Sequence, residues 1–161
     1  MIDPSRLIYL HGLESSSQSG KARLFAEKFP GMLTPDFKGS FDERMEHLLP
    51  ILGESTNWTI IGSSFGGLMA TVFCLDHTHQ VEKLILLAPA LNLPPVSSRQ
   101  NIKPTVTPTT LIHGRADTIV PLDPIREIAQ KIFTNLTLLI VDDDHRLHKT
   151  FNELSWESIL D

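Results

Sequence analysis

Cysteine is almost missing from this chain. A single thiol, Cys74, stands among 161 residues, so no disulfide can form within the chain and no cysteine-based zinc site can be built. Cys74 reads as a packed helix residue, the usual fate of a free cysteine. Basic charge is also scarce. Lys and Arg total 14 against 19 Asp and Glu, a net charge of −5, and they form no basic run, which speaks against nucleic acid as a partner. Long hydrophobic runs are missing too. The longest, Leu84 to Leu91, already contains Pro89 and falls far short of the ~20 residues of a membrane span. Met1 to Arg6 has neither the apolar core nor the basic flank of a secretion signal. The expectation is a soluble cytoplasmic protein with no membrane partner.

What is present is ordinary in amount. Hydrophobic residues make up 41% and charged residues 20%, near globular averages and against disorder. The length suits one domain, 1–161, able to bury a core without staples. Short apolar runs alternate with amphipathic segments. Arg6–Leu10, Met32–Thr34, Trp58–Ile61, Lys83–Leu87, Thr109–Ile112 and Leu136–Val141 predict six strands, of which Met32–Thr34, just before Pro35, is the weakest. Apolar spacing predicts helices over Ser19–Phe29, Phe41–Leu52, Phe65–Leu75, Leu122–Phe133 and Leu147–Leu160, and Pro50 leaves the end of the second one open. The strands are apolar runs rather than two-sided alternations. That is the pattern of an α/β fold with three layers, a mostly parallel sheet of about six strands between helices. In such sheets sites form at the carboxyl ends of strands, beside the switch in strand order.

Five of the 11 prolines fall between Pro89 and Pro108. This segment reads either as a plain connection or as a short substitute for a lid. Its Leu91, Leu93 and Val96 fit a pocket lining and an oligomer interface equally well, and the oligomeric state stays open.

The chemistry concentrates at strand ends. Gly62-Ser63-Ser64-Phe65-Gly66 is a G-x-S-x-G sequence that follows an apolar strand and opens a helix, the context of a nucleophile elbow. So tight a turn leaves no room for side chains two positions either side of the serine, and it lifts the hydroxyl above the sheet. The helix behind it aims N–H groups at an anion. A dinucleotide fingerprint would need Gly where Ser64 stands, and the phosphate-loop lysine is absent.

A serine hydroxyl needs a base, and the base needs an orienting carboxylate. After such an elbow the chain order is Ser, then Asp or Glu, then His. Downstream strands end in His113-Gly-Arg-Ala-Asp117 and in Asp142-Asp-Asp-His145. Ser64 is therefore the candidate nucleophile, Asp117 the acid and His145 the base. Asp123 and His148 are the weaker competitors, both placed in helices. Asp142 to Asp144 read as a solvated acidic loop. For the oxyanion hole the candidates are the N–H of Phe65, next after the nucleophile, and that of Leu13, in the Tyr9-Leu-His-Gly-Leu13 loop after the first strand. His11 and His113 read as structural braces. No His pair has the context of a metal site.

At these residues the chain resembles the α/β-hydrolase superfamily, and within it a small bacterial branch, the YqiA/YcfP-like esterases. Tyr9-Leu-His-Gly-Leu-Glu-Ser-Ser-Ser-Gln-Ser-Gly-Lys-Ala22 is similar to that branch's oxyanion-loop segment, and Gly62-Ser-Ser-Phe-Gly-Gly-Leu-Met-Ala-Thr71 to its elbow. His113-Gly-x-x-Asp117-x-x-Val-Pro121 fits the superfamily's acid loop. Asp144-His145-Arg-Leu147 departs from the branch, which tends to carry glycines before the histidine. The resemblance implies a six-stranded core that lacks the first two strands of the full fold and any helical lid. It also implies hydrolysis of small acyl esters, a small-molecule substrate, and no metal or organic cofactor. Thioester hydrolysis by the same machinery, a non-catalytic ligand-binding scaffold and a nucleotide-binding domain are the rival readings.

Overall fold

Runs of Leu, Ile and Val bounded by polar residues make five parallel strands: β1 (Leu7–Leu10), β2 (Trp58–Ser63), β3 (Val81–Leu87), β4 (Thr109–Gly114) and β5 (Leu136–Val141). They lie side by side in the order β1-β2-β3-β4-β5. The structure, a computed structural model, describes residues 1–161. Six helices accompany the sheet: α1 (Gly20–Lys28), α2 (Phe41–Leu52), α3 (Phe65–Asp76), α4 (Leu122–Ile132), α5 (His148–Glu153) and α6 (Trp156–Leu160). Each strand sends alternate side chains to opposite faces, and two cores result. Ile8, Leu10, Ile60, Leu84, Leu86 and Leu111 pack under α2, α3 and α4. Tyr9, Ile61, Ile85, Leu87 and Ile112 pack under α1, α5 and α6.

The helix starts follow from sequence. Ser19 Oγ accepts the Ala22 N–H at 3.3 Å to cap α1, and Ser40 Oγ accepts the Glu43 N–H at 3.2 Å to cap α2. Asp42 and Glu43 in the first turn of α2 complement its dipole. The helix runs through Pro50 and closes where the Gly53 N–H donates to the Leu49 carbonyl at 2.9 Å. α3 is apolar all round, and every residue from Gly66 to Cys74 is buried.

Three expectations are corrected. The sheet has five strands, not six. The stretch around Leu33 contributes a single parallel bridge to Ile8, through Leu33 N–H to Leu7 O and Tyr9 N–H to Leu33 O, both 2.9 Å. The next donor in that ladder would be residue 35, a proline without an N–H. Second, the last helix is two short ones. Leu154 and Ser155 are extended between α5 and α6. On one straight helix Phe151 and Trp156 would diverge by about 140°. The break lets both rings meet Phe25, at centroid distances of 5.2 and 4.9 Å, where each aromatic pair adds about 0.5–1.5 kcal/mol beyond burial. The Trp156 Nε1–H donates to the Phe151 carbonyl at 3.0 Å. Third, β5 is an edge strand with alternating burial, not one buried on both faces.

The proline-rich segment carries turns and no helix. Leu91 and Val96 are part of the core under α3, while Leu93 remains exposed. From β1 the chain passes through α1 to Leu33 on one side, then through α2 to β2 on the other. The strand order therefore switches between the ends of β1 and β2. His11 to Leu13 leave the first of these ends, and Ser64 leaves the second.

Candidate active site

Ser64 is the residue between β2 and α3, with φ 55° and ψ −113°. A non-glycine residue held there is strained and persists only when its surroundings over-determine it. Two glycines supply that constraint. A Cβ on Gly62 would come within 2.5 Å of the Gly66 carbonyl oxygen, and one on Gly66 would overlap the Leu10 carbonyl. Hydrogen bonds do the rest. The Ser64 N–H donates to Leu87 O at 2.9 Å, and its carbonyl accepts from Ala90 and Gly67, both at 3.0 Å. The ends of β1 and β3 and the start of α3 thus fix one residue.

The side chain of Ser64 meets His145. Its hydroxyl lies 3.0 Å from His145 Nε2, and His145 Nδ1 lies 2.7 Å from Asp117 Oδ2. The carboxylate of Asp117 is an acceptor, so Nδ1 carries the proton and Nε2 is left free to accept the Ser64 hydroxyl. Asp117 itself is buried, 7% exposed. Its Oδ1 accepts the N–H groups of Ile119 at 2.9 Å and Val120 at 2.8 Å. The competitors stay apart: Asp123 opens α4, and His148 is an exposed residue at the start of α5.

Of the three acids, Asp142 and Asp144 are exposed, as a solvated loop requires, and Asp143 is tied down by the fold. Asp142 pairs with Arg115 at 2.6 Å. Asp143 Oδ2 accepts both the N–H and the hydroxyl of Thr150, at 2.9 and 2.8 Å, and Oδ1 accepts the Asp144 N–H at 2.8 Å. Burial pushes the Asp143 carboxyl up, but these donors and Lys149 outweigh it and hold it below its ordinary value.

On the other side, the N–H groups of Phe65 and Leu13 have no backbone acceptor. Leu13 N–H belongs to the peptide whose carbonyl is Gly12 O. That oxygen accepts His11 Nδ1–H at 2.7 Å and the Ser15 N–H at 3.3 Å. His11 Nε2 in turn accepts the Phe37 N–H at 2.9 Å, which sets the tautomer. His11 thus braces the loop, as its sequence position suggests.

Sequence reasoning missed Lys21 and Arg44, and it read His113 as a structural brace without naming its partners. Lys21 Nζ donates to the Arg146 carbonyl at 2.6 Å and ties α1 to the His145 loop. Arg44 donates to the Leu13 carbonyl at 3.2 Å. His113 Nε2–H donates to Val120 O at 2.8 Å and sits 3.3 Å from Asp117 Oδ2; burial holds its pKa below the usual value. The signal for Arg44 is a polar residue inside an apolar stripe. No three His, Cys, Asp and Glu side chains gather as metal ligands, and no helix is long and apolar enough to cross a membrane.

Residues 6–109 match the family model described as "Uncharacterised protein family (UPF0227)". That stretch holds Leu13, Ser64 and Phe65 but ends before Asp117 and His145. A search of curated proteins finds no significant match. Among solved structures, the chain is similar to mouse alpha/beta hydrolase domain-containing protein 10, with 19% identity, a TM-score of 0.77 and coverage of 95% of this chain and 87% of that one. It is similar to a protein of the alpha/beta superfamily from Xanthomonas campestris, with 26% identity, a TM-score of 0.74 and coverage of 91% of each chain. An alpha-beta serine hydrolase homologue from Coxiella burnetii gives 16% identity and a TM-score of 0.73 over 99% of this chain and 85% of that one. Family match and shared fold together place the chain in the UPF0227 family, within the α/β-hydrolase superfamily.

Proposed function

We propose that this protein is a serine hydrolase that cleaves small acyl esters through an acyl-enzyme on Ser64. The observation that carries the reading is the unbroken line from Ser64 Oγ to His145 Nε2, 3.0 Å, and from His145 Nδ1 to Asp117 Oδ2, 2.7 Å, with Ser64 held at positive φ. His145 Nε2 takes the Ser64 proton as Oγ attacks the ester carbonyl carbon. The N–H groups of Phe65 and Leu13 hold the oxyanion that forms, in the role worth most in acyl transfer. Asp117 keeps the imidazole in its Nδ1–H tautomer and stabilises the imidazolium. His145 then protonates the departing alkoxide, leaving the acyl group on Ser64. Water, deprotonated by His145, attacks the acyl carbonyl; collapse returns the proton to Oγ and releases the acid. The scheme draws on no metal or organic cofactor. Exposed Leu13 and Ile119, in the loops of the oxyanion and acid residues, favour a substrate with apolar groups near the carbonyl.

Hydrolysis of p-nitrophenyl acetate and butyrate, set beside the matching acyl thioesters, tests this reading. The expected result is ester turnover that falls by about 10⁶ in kcat in Ser64→Ala. Turnover that survives this substitution, in protein free of contaminating esterase, contradicts it. Faster cleavage of thioesters than of esters would move the substrate class while leaving the machinery in place.

A further inference from the structure

Arg44 lies in the second turn of α2 and is 4% exposed. It forms none of the molecule's salt bridges. Instead its guanidinium reaches backbone. Nε–H donates to the Gly39 carbonyl at 3.0 Å, and an Nη2–H donates to the Leu13 carbonyl at 3.2 Å. The guanidinium carbon lies 5.3 Å from the centroid of the Phe65 ring. Nη1 is buried without any partner. Asp36 is the acid whose field reaches the group, but it forms no salt bridge with Arg44; its Oδ1 accepts the Ser17 N–H at 3.2 Å and lies 3.2 Å from His11 Nε2. Buried cations are ordinarily paired, and leaving one unpaired is costly.

The position of these contacts gives the charge a use. One side chain touches Leu13 and Phe65, the two residues whose N–H groups form the proposed oxyanion hole. The peptide that carries the Leu13 N–H is held at its carbonyl by His11. The next peptide, beyond Leu13, is held at its carbonyl by Arg44. Hydrogen bonds on the peptide planes either side of the Leu13 Cα hold the direction of its N–H. Arginine suits the task because its planar fork reaches two carbonyls at once and remains charged.

We infer that Arg44 is the positioning residue of the oxyanion hole, clasping the Leu13 loop to the start of α2 and setting an unpaired positive charge within one residue of both N–H donors. This inference rests on the serine-hydrolase reading. It makes Arg44 a group that acts on the transition state through Leu13 and Phe65, without touching substrate.

The test uses the full chain with Arg44→Met and Arg44→Lys. It reads kcat and KM for p-nitrophenyl acetate, the rate of Ser64 labelling by a fluorophosphonate, and Ki for a simple arylboronic acid, whose tetrahedral Ser64 adduct puts an oxygen in the hole. Loss of one oxyanion donor lowers kcat by about 10²–10³. Imperfect placement in Arg44→Met should lower it by about 30-fold to 100-fold, with KM within about threefold and the boronate Ki raised in step. Lysine can hold only one of the two carbonyls, so Arg44→Lys should lose about tenfold. Folded Arg44→Met with kcat and boronate Ki within twofold of the parent overturns the inference. So does a loss confined to KM, or to the fraction of protein that labels. Should Arg44→Met fail to fold, Arg44→Lys decides, and parent-like kcat and Ki there overturn it equally. A parent that neither labels nor turns over ester overturns the hydrolase reading and this inference with it, whereas a parent that does both while the variants match it overturns the inference alone.

Discussion

The two halves of the site are built by different physics. Around Ser64, at the end of β2, steric exclusion does the work. Gly62 and Gly66 leave no room for a Cβ, Ser64 is held at φ 55°, and its N–H and carbonyl are both engaged by backbone. At the ends of β4 and β5 one such glycine recurs, Gly114, where a Cβ would overlap the Asp143 carbonyl, but polar satisfaction places the functional side chains. Asp117 takes two backbone N–H groups and His145, with His113 alongside, and Asp143 takes three donors from Asp144 and Thr150. The steric half should therefore be sensitive to size and indifferent to pH. The polar half should tolerate equal-sized substitutions in shape but respond to the loss of a donor, an acceptor or a proton.

Asp117→Asn is the strongest probe of that contrast within the polar half. It preserves volume and should leave the fold intact, yet cost about 10⁴ in kcat because the imidazole tautomer is no longer held. Steady-state kinetics beside a thermal melt check both parts. Gly66→Ala probes the other half. One added methyl group must push α3 away from the Leu10 carbonyl, and displacement of the nucleophile by about 1 Å costs about 10²-fold in kcat. A pH–rate profile with the parent's shape at lower amplitude is the expected signature; a shifted profile would break the contrast.

Smaller effects belong to the polar half alone. Burial holds the His113 pKa below its ordinary value of 6.5, so the folded state binds less proton than the unfolded chain just below that pH. The stability present above pH 6.5 is lost as pH falls towards the folded-state value. His113→Gln should flatten this part of the stability curve, as read by urea midpoints between pH 7 and pH 5. Asp143 works the same way at lower pH. Its folded value lies below the ordinary 3.8, so its contribution is complete above that pH and lost as pH falls through the depressed value. Asp143→Asn should lower Tm at pH 7 by about 2–4 °C, with the gap to the parent closing in acid. A pH–rate profile of Asp143→Asn that overlays the parent's limits the residue to holding the loop.

What was legible in the sequence follows the same division. Ser64 could be read because steric constraint writes itself as residue types at set offsets, glycine two before and two after. Asp117 and His145 could be read from their places just past apolar strands. The Leu33 stretch reads as a strand by apolarity, but the proline at 35 removes the next donor and leaves one bridge. The break before Trp156 was hidden because Leu147–Leu160 has helical spacing throughout; only the shared packing of Phe151 and Trp156 on Phe25 calls for a turn. Arg44 and Lys21 were missed because their acceptors are backbone carbonyls, which every residue has, whereas His113 was read as a brace from its place at a strand end. Lys21 and its acceptor at Arg146 are 125 positions apart, and nothing in either residue type announces the pair. The one available mark, a lone Arg44 on the Phe41, Leu48 and Leu52 stripe of α2, is a polar residue where an apolar one packs.

The most direct test of an activated nucleophile asks nothing about the substrate. Parent protein, Ser64→Ala and His145→Ala are treated with a fluorophosphonate probe, and the modified peptide is mapped. Labelling of the parent on Ser64, absent in Ser64→Ala and slowed by at least about 10³ in His145→Ala, is the predicted result. A folded parent that takes no label, or one labelled elsewhere, would contradict the assignment of Ser64 as a nucleophile activated by His145 and Asp117.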